Sequence, residues 1–385
     1  MPKNLFTVER DYEHEREQAV GILVANLGTP EAPTAKALRP YLGQFLWDPR
    51  VVEYSRPLWW LILNGIILRL RPKNSAKLYA NVWTDEGSPL LTVSQGIADG
   101  IQQRLAERIG TPVHTVLGMT YGEPSMQRAL AELKAANCRR VLVLPLYPHY
   151  SSSTVGSVFD AVAKELMTWR WVPELRTIHQ YPDRPAFIEA LANRVRAHWA
   201  EHGEPDRLVT SYHGIPKRYF LNGDPYHCQC HKTTRLLVEE LGCDPDKVVV
   251  TFQSLFGREE WLKPYTEDTL HAMPGAGIKK VDVICPGFAA DCLETIDEID
   301  REYREVFEEA GGEEYRYIPC LNDDDDHIDL LTDLVTDNLG GWVGAAEQRD
   351  GVAVEADLQQ TADLASALAA RCPRADAGLG GSPKA

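Results

Sequence analysis

The sequence contains no apolar segment that is long enough to span a bilayer. Its longest apolar stretch runs from Leu58 to Leu68 and is interrupted by Asn64 and Gly65, whereas a membrane-spanning helix needs about 20 apolar residues. The first twenty residues are charged and lack an apolar core, so they do not predict a secretion signal. Basic residues are outnumbered, 40 against 56 acidic, and the net charge of −16 argues against a nucleic-acid partner.

Cysteine and glycine patterns narrow the class of protein further. The 8 cysteines are scattered over 385 residues, unlike the dense pattern of a disulfide-stabilised secreted domain. No Gly-x-Gly-x-x-Gly follows a strand-like run, so we predict neither a nicotinamide nor a nucleotide cofactor. Together these absences predict a cytoplasmic protein, and the length suits two domains of ordinary size.

Short runs rich in β-branched residues alternate with helical patterns, which indicates parallel strands joined by crossover helices. Eight such runs form two groups of four with similar separations, as if one unit were used twice. They begin at Gly21, Val113, Arg140, Leu175, Leu208, Lys247, Lys280 and Glu314. We predict an α/β fold of two similar Rossmann-like lobes, each with a four-stranded parallel sheet flanked by helices, and an active cleft between the lobes.

The repeat also predicts domain limits. The first lobe covers residues 1–185 and carries an apolar insertion over residues 31–100, and the second lobe covers residues 186–343. Residues 344–385 are rich in Ala and Gly, which predicts a marginal helix or a disordered extension.

Acidic residues follow the third run of the second group, in the sequence CPGFAADCLETIDEID. If a helix begins near Ala290, then Asp291, Glu294 and Glu298 share one face of it. The simplest interpretation is a solvated first turn, because acids near a helix N-terminus are favoured by the helix dipole. The predicted fold also brings Glu294 and His213 into one cleft from neighbouring strand ends. Such a pair suits a divalent metal or proton transfer.

The insertion contains two adjacent tryptophans, Trp59 and Trp60, within a nearly all-apolar helical pattern. Core packing explains many of its apolar residues, but such a helix leaves no polar face for solvent. Arg69 and Lys73 lie beside it in the sequence. We predict that the insertion forms the lip of a cleft for a flat apolar ligand, and a peripheral membrane contact is the open alternative.

The segment YPHYSSST, residues 147–154, follows the third run of the first group. Its serines suit a helix N-cap or an anion site. In either case His149 and Tyr150 are predicted to line the cleft.

A second segment, HCQCH at residues 227–231, has the residue types of a metal site. Structural zinc usually requires two ligand pairs, each spaced by two to four residues, and here only one closely spaced cysteine pair is present. The favoured interpretation is the start of a helix that carries Cys228 and Cys230 on different faces, and a metal site is the alternative.

The chain from about Gly21 to Val343 resembles the ferrochelatase family, enzymes that insert ferrous iron into protoporphyrin to make haem. Eight motifs in order carry the resemblance, which makes it far more specific than any single motif. They are NLGTP (26–30), LGQFLWDPRVVE (42–53), EGSPL (86–90), GMTYGEPS (118–125), LPLYPHYSSSTVGS (144–157), SYHGIP with NGDPY (211–226), FQSLFGREEWLKPYT (252–266) and CPGFAADCLETIDEI (285–299).

This resemblance implies roles for individual residues. It maps the family's metal-handling histidine onto His213 and its cleft glutamate onto Glu294, and it implies an acidic relay through Asp291 and Glu298. It also implies a porphyrin cleft lined by Leu27, Trp83, Ser88, Pro89, Tyr121, His149, Tyr150, Ser153, Trp261 and Phe288.

Three departures from the family pattern limit what is implied. Cys292 stands where animal members carry a second histidine, and Leu27 replaces a Tyr or Met that faces the metal in other branches. The [2Fe–2S] cluster of animal members needs cysteines that this chain lacks: it has serines at 151–153 and only Cys372 in its tail. We expect no permanently bound cofactor, and Fe²⁺ is expected as a substrate.

The resemblance thus implies protoporphyrin IX and Fe²⁺ as partners, together with other enzymes of haem synthesis. In chemical terms, a rigid cleft binds the macrocycle bent, His213 accepts a pyrrole proton, and Glu294 neutralises the metal as it loses water. Two alternatives remain: a chelatase for coproporphyrin or for another metal such as cobalt or nickel, and a non-catalytic tetrapyrrole- or metal-binding protein.

Overall fold

Eight parallel strands form the framework of the protein. The computed structural model describes residues 16–343 apart from 256 and 258, together with residues 6, 7, 9 and 363. The strands are β1 (Ala19–Asn26), β2 (Val113–Met119), β3 (Cys138–Pro145), β4 (Glu174–Thr177), β5 (Arg207–His213), β6 (Val248–Gln253), β7 (Lys280–Ile284) and β8 (Glu314–Ile318). Each of the eight runs predicted from the sequence therefore overlaps a strand.

The strands form two four-stranded sheets of identical topology. Their orders are β2-β1-β3-β4 and β6-β5-β7-β8, with all neighbours parallel. We call the part of the chain around the first sheet lobe one and the part around the second sheet lobe two. This result confirms the predicted pair of similar α/β lobes. Both faces of a parallel sheet are covered, and all eight residues of the central strand β1 are buried.

Helices cover both faces of each sheet. They are α1 (Ala35–Trp47), α2 (Arg56–Ile62), α3 (Leu68–Val82), α4 (Pro89–Arg108), α5 (Met126–Ala135), α6 (Ser157–Leu166), α7 (Pro185–His202), α8 (Lys217–Leu221), α9 (Tyr226–Leu241), α10 (Thr266–Ala272), α11 (Tyr303–Glu309) and α12 (Asp325–Asn338). Three segments are π-helical: Leu63–Ile67, Ser152–Gly156 and Glu294–Glu302. Short 3₁₀ turns lie at Pro245–Lys247 and Pro274–Ala276.

The predicted insertion is the group of helices α1 to α4, which separates β1 from β2. Its second and third helices join through the π-helical turn Leu63–Ile67 into one continuous helical segment. An apolar cluster holds α1, α2 and α3 together. No helix within the described part of the chain is long and apolar enough to cross a membrane.

Helix α12 ties the two halves of the chain together. It packs on α4 of lobe one, where Arg104 forms ion pairs with Asp325 and Asp329. The limits 1–185 and 186–343 stay predictions, as does the extension 344–385, which lies outside the described residues except for residue 363.

Candidate active site

The topology of lobe two places a crevice between β5 and β7. In an open parallel sheet, connections leave in opposite directions from the two strands at which the order reverses, and ligands bind at the carboxyl ends of those strands. His213 is the last residue of β5, and the chain that leaves β7 leads to Glu294 at the start of the π-helix Glu294–Glu302. Both predicted residues therefore follow the strands that flank one switch point.

The His213 imidazole is held in one tautomer. Its Nδ1 lies 2.6 Å from the carbonyl oxygen of Gly214, and because a carbonyl oxygen only accepts, Nδ1 must carry the hydrogen in this contact. In the neutral ring Nε2 is then the basic nitrogen. The Trp261 ring lies beside it, with 6.4 Å between the ring centroids.

Glycine is required after His213. A Cβ on Gly214 would lie 2.8 Å from the carbonyl oxygen of Gln253 and 3.0 Å from the Trp261 ring. The absence of a side chain thus allows β5, β6 and the indole to approach one another at the mouth of the sheet.

Gln253 links the strand of His213 to the helix of Glu294. It pairs with His213 in the β5–β6 register, and its backbone oxygen accepts a hydrogen bond from the Gly214 amide at 2.8 Å. Its buried side-chain amide donates to the carbonyl oxygen of Glu294 at 3.0 Å and accepts from Ser211 Oγ at 2.8 Å. Sequence reasoning missed this residue, although it lies in the FQSLF motif.

The helix that carries Glu294 differs from the predicted one. It begins at Leu293 rather than near Ala290, and Glu294–Glu302 is π-helical. Asp291 consequently precedes the helix, and the expected single face with Asp291, Glu294 and Glu298 is wrong. A π-helix has wider turns than an α-helix, and the hydrophobic pattern of the sequence does not distinguish the two.

Both carboxylates of the predicted acidic relay are hydrogen-bonded to the protein. Asp291 is buried and accepts from Tyr317 OH at 2.5 Å and from the Asn322 side-chain amide at 2.7 Å. Glu298 accepts from the backbone amide of Ser254 at 2.8 Å, from Ser254 Oγ at 2.5 Å and from Tyr303 OH at 2.7 Å.

Three phenol groups of lobe one lie within electrostatic reach of Glu294, and sequence reasoning missed them. Burial, together with the nearby Glu294 carboxylate, raises the pKa of Tyr41, Tyr79 and Tyr147 well above the ordinary value. The Tyr147 hydroxyl is buried without a hydrogen-bond partner among the described residues. Arg71 also lies within electrostatic reach of Glu294, and burial lowers the pKa of its guanidinium. Glu294 therefore faces neutral hydroxyl groups and one cation across the lobe boundary.

Leu293 explains how lobe one reaches this site. It packs against the apolar cluster of the insertion, which also receives Leu27 and Trp83. The cluster contains buried Tyr121, whose hydroxyl donates to Asp48 Oδ2 at 2.6 Å. Three of the residues predicted for lobe one thus belong to a single packed unit that touches the start of the π-helix.

Ser88 and Pro89 lie at the beginning of α4. Ser88 is the buried N-cap residue and accepts a hydrogen bond from Thr29 Oγ1 at 2.9 Å, and Pro89 occupies the first helical turn. Proline is favoured there because its missing N–H would be unpaired in any residue.

His149, Tyr150 and Ser153 lie where the two lobes meet. His149 is only 2% exposed, and its Nε2 is 2.8 Å from Thr233 Oγ1 of α9. Burial lowers the pKa of His149 to about 3. The Tyr150 amide donates to Gln229 at 2.8 Å. Ser153 donates its amide to Ser151 Oγ, which confirms the predicted N-cap. Ser151 Oγ donates to Asp224 of lobe two at 3.0 Å, which places this segment at an interlobe contact.

Phe288 and Cys292 lie between β7 and Glu294. Phe288 is half-buried and packs on the core of lobe two. Cys292 is buried, and burial together with the Glu294 carboxylate raises the pKa of its thiol well above the ordinary value. The thiol at this position is therefore neutral and unsuited to carrying protons near pH 7.

The HCQCH segment forms the first turns of α9, as favoured from the sequence. Cys228 is exposed, whereas Cys230 is buried in the apolar core of lobe two, so the two thiols lie on different faces. Among the described residues, no group of three or more His, Cys, Asp and Glu side chains could hold a metal ion.

Comparison with known proteins identifies the class of enzyme to which this chain belongs. The ferrochelatase family model matches residues 19–339, and together with the two-lobed fold this defines an enzyme that inserts a metal into a porphyrin. The chain belongs to the ferrochelatase family, and its reaction is the insertion of ferrous iron in haem biosynthesis.

Full-length relatives support this assignment. The chain is 56% identical over 332 residues to a ferrochelatase of Marinobacter nauticus, which covers 86% of this chain and 90% of that protein. It is 54% identical over 366 residues to a ferrochelatase of Thioalkalivibrio sulfidiphilus, covering 95% and 99% of the two chains. Among solved structures, SirB from Bacillus subtilis with Fe³⁺ matches at 12% identity and a TM-score of 0.49, covering 84% of this chain and 97% of that one.

Proposed function

We propose that His213 and Glu294 carry out the iron insertion, with protoporphyrin IX as the acceptor. The observation that supports this proposal is the placement of the two residues after the strands of one switch point, linked through Gln253. A non-catalytic binding protein would have no use for this pairing of a base and a carboxylate.

His213 is the proton acceptor in this proposal. A free porphyrin holds two N–H protons that must leave as the metal enters. With Nδ1–H donated to the Gly214 carbonyl, the lone pair on Nε2 is available to take a pyrrole proton. The Trp261 ring beside the imidazole restricts its rotation.

Glu294 is the carboxylate that receives the metal. A hydrated Fe²⁺ must lose water before it enters the ring, and a carboxylate offsets its charge while it does so. The nearby Tyr41 and Tyr79 phenols remain neutral because burial raises their pKa, so they add no competing negative charge beside Glu294. In this arrangement Glu294 is the anionic ligand, and Asp291 and Glu298 maintain local structure.

The packed insertion supplies a rigid wall for the macrocycle. Leu27, Trp83 and Leu293 all pack against one cluster, which limits how far the wall can yield to a flat ligand. A wall that binds the porphyrin bent favours the transition state, because a bent ring turns its nitrogen lone pairs toward the entering metal.

Absorbance spectra test the acceptor and the metal. Purified protein is mixed with protoporphyrin IX or coproporphyrin and with Fe²⁺, Zn²⁺, Co²⁺ or Ni²⁺, and metalloporphyrin formation is followed. Fastest turnover of protoporphyrin IX with Fe²⁺ is expected, and a clear preference for coproporphyrin would contradict the proposed acceptor. Without added porphyrin the protein should show no iron–sulfur bands, in keeping with the expectation of no bound cofactor.

The Glu294→Gln variant tests the metal ligand. It should raise the KM for Fe²⁺ while porphyrin affinity stays near the wild-type value. Glu305→Gln is the matched control, because Glu305 is a carboxylate of the following helix α11, paired with Arg301 at the surface. Equal effects of the two substitutions would contradict the assignment of Glu294.

We further propose that the exposed edge of the insertion rests on a membrane surface. The edge consists of large apolar side chains that are about half exposed or more: Leu58, Trp60, Leu61, Ile66 and Leu70. Exposed Arg69 and Lys73 lie in the same helical segment and suit anionic headgroups.

The two tryptophans separate membrane contact from folding. Trp60 is 53% exposed, whereas Trp59 is 8% exposed and donates its Nε1–H to the carbonyl oxygen of Leu46 at 2.7 Å. Trp60→Ser should reduce sedimentation with anionic vesicles and leave the unfolding midpoint unchanged. Trp59→Ser should cost about 3–5 kcal/mol of stability, as for truncation of a buried aromatic residue. Undiminished vesicle binding by Trp60→Ser would refute the membrane proposal.

A cytoplasmic location, peripheral to the inner face of the membrane, and contacts with other haem-synthesis enzymes remain predictions. The acidic composition and the apolar edge support them. Fractionation of cells into cytosol and membrane, before and after a high-salt wash, tests the location. Release by salt is expected, because the local basic residues act through electrostatic attraction.

A further inference from the structure

Two histidines of α9 lie side by side on the surface of lobe two. His227 and His231 are four residues apart in the helix, so they project from the same face. Their ring centroids are 4.5 Å apart, with an angle of 52° between the ring planes. His231 is exposed and His227 is half-buried.

Phenylalanine rings pack against the His227–His231 pair. The His227 ring stacks on Phe252 at 5.7 Å and contacts Phe220 at 4.9 Å, and the His231 ring lies 6.2 Å from Phe252. None of the described residues forms a hydrogen bond or an ion pair with either imidazole. The rings are therefore held in place by packing while their nitrogen atoms stay uncommitted.

The pair is separate from the proposed active site. Phe252 and Gln253 are consecutive residues of β6, so their side chains point to opposite faces of the sheet. Gln253 contacts Glu294 on one face, and Phe252 contacts the two histidines on the other.

The geometry matches that of two ligands on one ion. With Zn–N distances of about 2.0–2.1 Å and tetrahedral angles, two imidazoles on one zinc place their ring centroids roughly 5 Å apart. The observed 4.5 Å needs only a small side-chain rotation to reach this value. Two histidines at positions i and i+4 of a helix are also the arrangement used in helical zinc motifs.

We propose that His227 and His231 form a two-imidazole site for one divalent transition-metal ion of the zinc or nickel type. Water completes the coordination of the ion. The neighbouring thiols do not take part, because Cys230 is buried in the core and no group of three or more His, Cys, Asp or Glu side chains among the described residues is placed to hold an ion. Burial lowers the pKa of half-buried His227, which favours the neutral ring that a metal requires.

A second pair in the same chain provides a matched control. His198 and His202 are also four residues apart, on α7, with ring centroids 4.6 Å apart. Burial, His202 and the Arg316 cation, in that order, lower the pKa of His198 to about 4. Arg316 is also ion-paired with buried Asp282. The Nε2 atom of His198 is buried and lies 3.8 Å from Asp282 Oδ1, so it is not open to a metal ion from solvent, and this pair is not expected to bind one.

Metal titration of the full chain tests the proposal. The His213→Ala, Glu294→Gln background removes the proposed insertion site, and calorimetric titration with Ni²⁺ or Zn²⁺ without porphyrin then reports the remaining sites. One ion per chain is expected. Adding His231→Ala should weaken its binding by about tenfold or more, because the chelate loses one of its two protein bonds. Adding His198→Ala with His202→Ala should leave the binding unchanged.

Two outcomes would overturn the proposal: unchanged metal affinity in the His231→Ala variant, or an equal loss in the control pair. His231 is exposed, so its substitution should leave the fold intact, which far-UV circular dichroism checks. His227→Asn provides the second variant, with the same expected loss. Because the background lacks both proposed insertion residues, the result does not depend on whether those residues perform the chemistry.

Discussion

Glu298 has two possible roles: a structural carboxylate that stabilises the fold, or a member of the predicted acidic relay. Its three hydrogen bonds come from the Ser254 amide, Ser254 Oγ and Tyr303 OH. These hydrogen bonds hold Ser254, the residue directly after β6, at a φ of 65°. This is the left-handed region, which residues other than glycine rarely adopt. We therefore expect Glu298 to stabilise the turn that follows Gln253.

The expected loss of stability follows from the hydrogen bonds to Glu298 that each substitution removes or weakens. A hydrogen bond to a charged group contributes about 1.5–3 kcal/mol. In Glu298→Gln the amide NH₂ can donate to Ser254 Oγ, so the three contacts can persist, but only as neutral hydrogen bonds of about 0.5–1.5 kcal/mol each, and about 3–4 kcal/mol of stability is lost in total. Tyr303→Phe removes a single bond and should cost about 1.5–3 kcal/mol.

Ser254→Gly provides the matched comparison. It removes the Oγ bond, but glycine adopts positive φ without strain, which regains about 1–2 kcal/mol. This variant should therefore be destabilised less than Tyr303→Phe. Urea unfolding followed by circular dichroism gives the three values, and iron-insertion kinetics gives the KM for Fe²⁺.

The two roles of Glu298 predict different results. Structural support predicts that Glu298→Gln and Tyr303→Phe both lose stability and that neither raises the KM for Fe²⁺ selectively. A Glu298→Gln protein within about 0.5 kcal/mol of wild type, the ordinary range for surface substitutions, would refute the reasoning. A rise in the KM for Fe²⁺ in that variant alone would instead support a role for Glu298 in the acidic relay.

Three further predictions concern stability and reactivity. Burial lowers the pKa of His149 to about 3 and that of His327 to about 4. Below about pH 6.5 only the unfolded chain therefore takes up these protons, and the free energy of unfolding should fall by up to about 1.4 kcal/mol per pH unit for each ring. Equal urea midpoints at pH 7 and pH 5 would contradict this. Replacing Asp324 to Asp326 with Asn should cost about 1 kcal/mol through lost helix-dipole and exposed ion-pair contributions, with no change in the KM for Fe²⁺. Of the described cysteines, exposed Cys228 should react first with a thiol reagent in the native protein.

The strands and their division into two sheets could be predicted because the β-branched runs recur in two similar groups, although only some of them are fully buried, as β1 is and β4 is not. A parallel sheet needs such runs at βαβ spacing, and the sequence repeats that spacing twice. The position of His213 at the end of β5 followed directly from the run that precedes it.

The surroundings of Glu294 could not be predicted from the sequence. Tyr41 and Tyr79 belong to helices of the insertion, more than 200 positions earlier in the chain, and only the packing of Leu293 against that insertion brings them near. The π-helical geometry was equally hidden, because hydrophobic periodicity does not separate a π-helix from an α-helix over nine residues.

His149 shows a third limit of sequence reasoning. It was expected in the cleft, yet its ring is buried against Thr233 and Tyr212 of lobe two. Strand ends fix which loops meet, but the way two lobes close against each other determines which of the loop side chains become buried.

Iron insertion by the His213→Ala variant is the most direct test of the proposed chemistry. The substitution removes the basic Nε2 at the end of β5 and leaves the macrocycle walls of the insertion in place. We predict a wild-type fold and near wild-type affinity for protoporphyrin IX, measured by fluorescence quenching. Iron insertion should fall by about 10²–10⁴-fold, the usual contribution of a positioned base. Near-normal turnover in this variant would contradict the assignment of His213 as the proton acceptor.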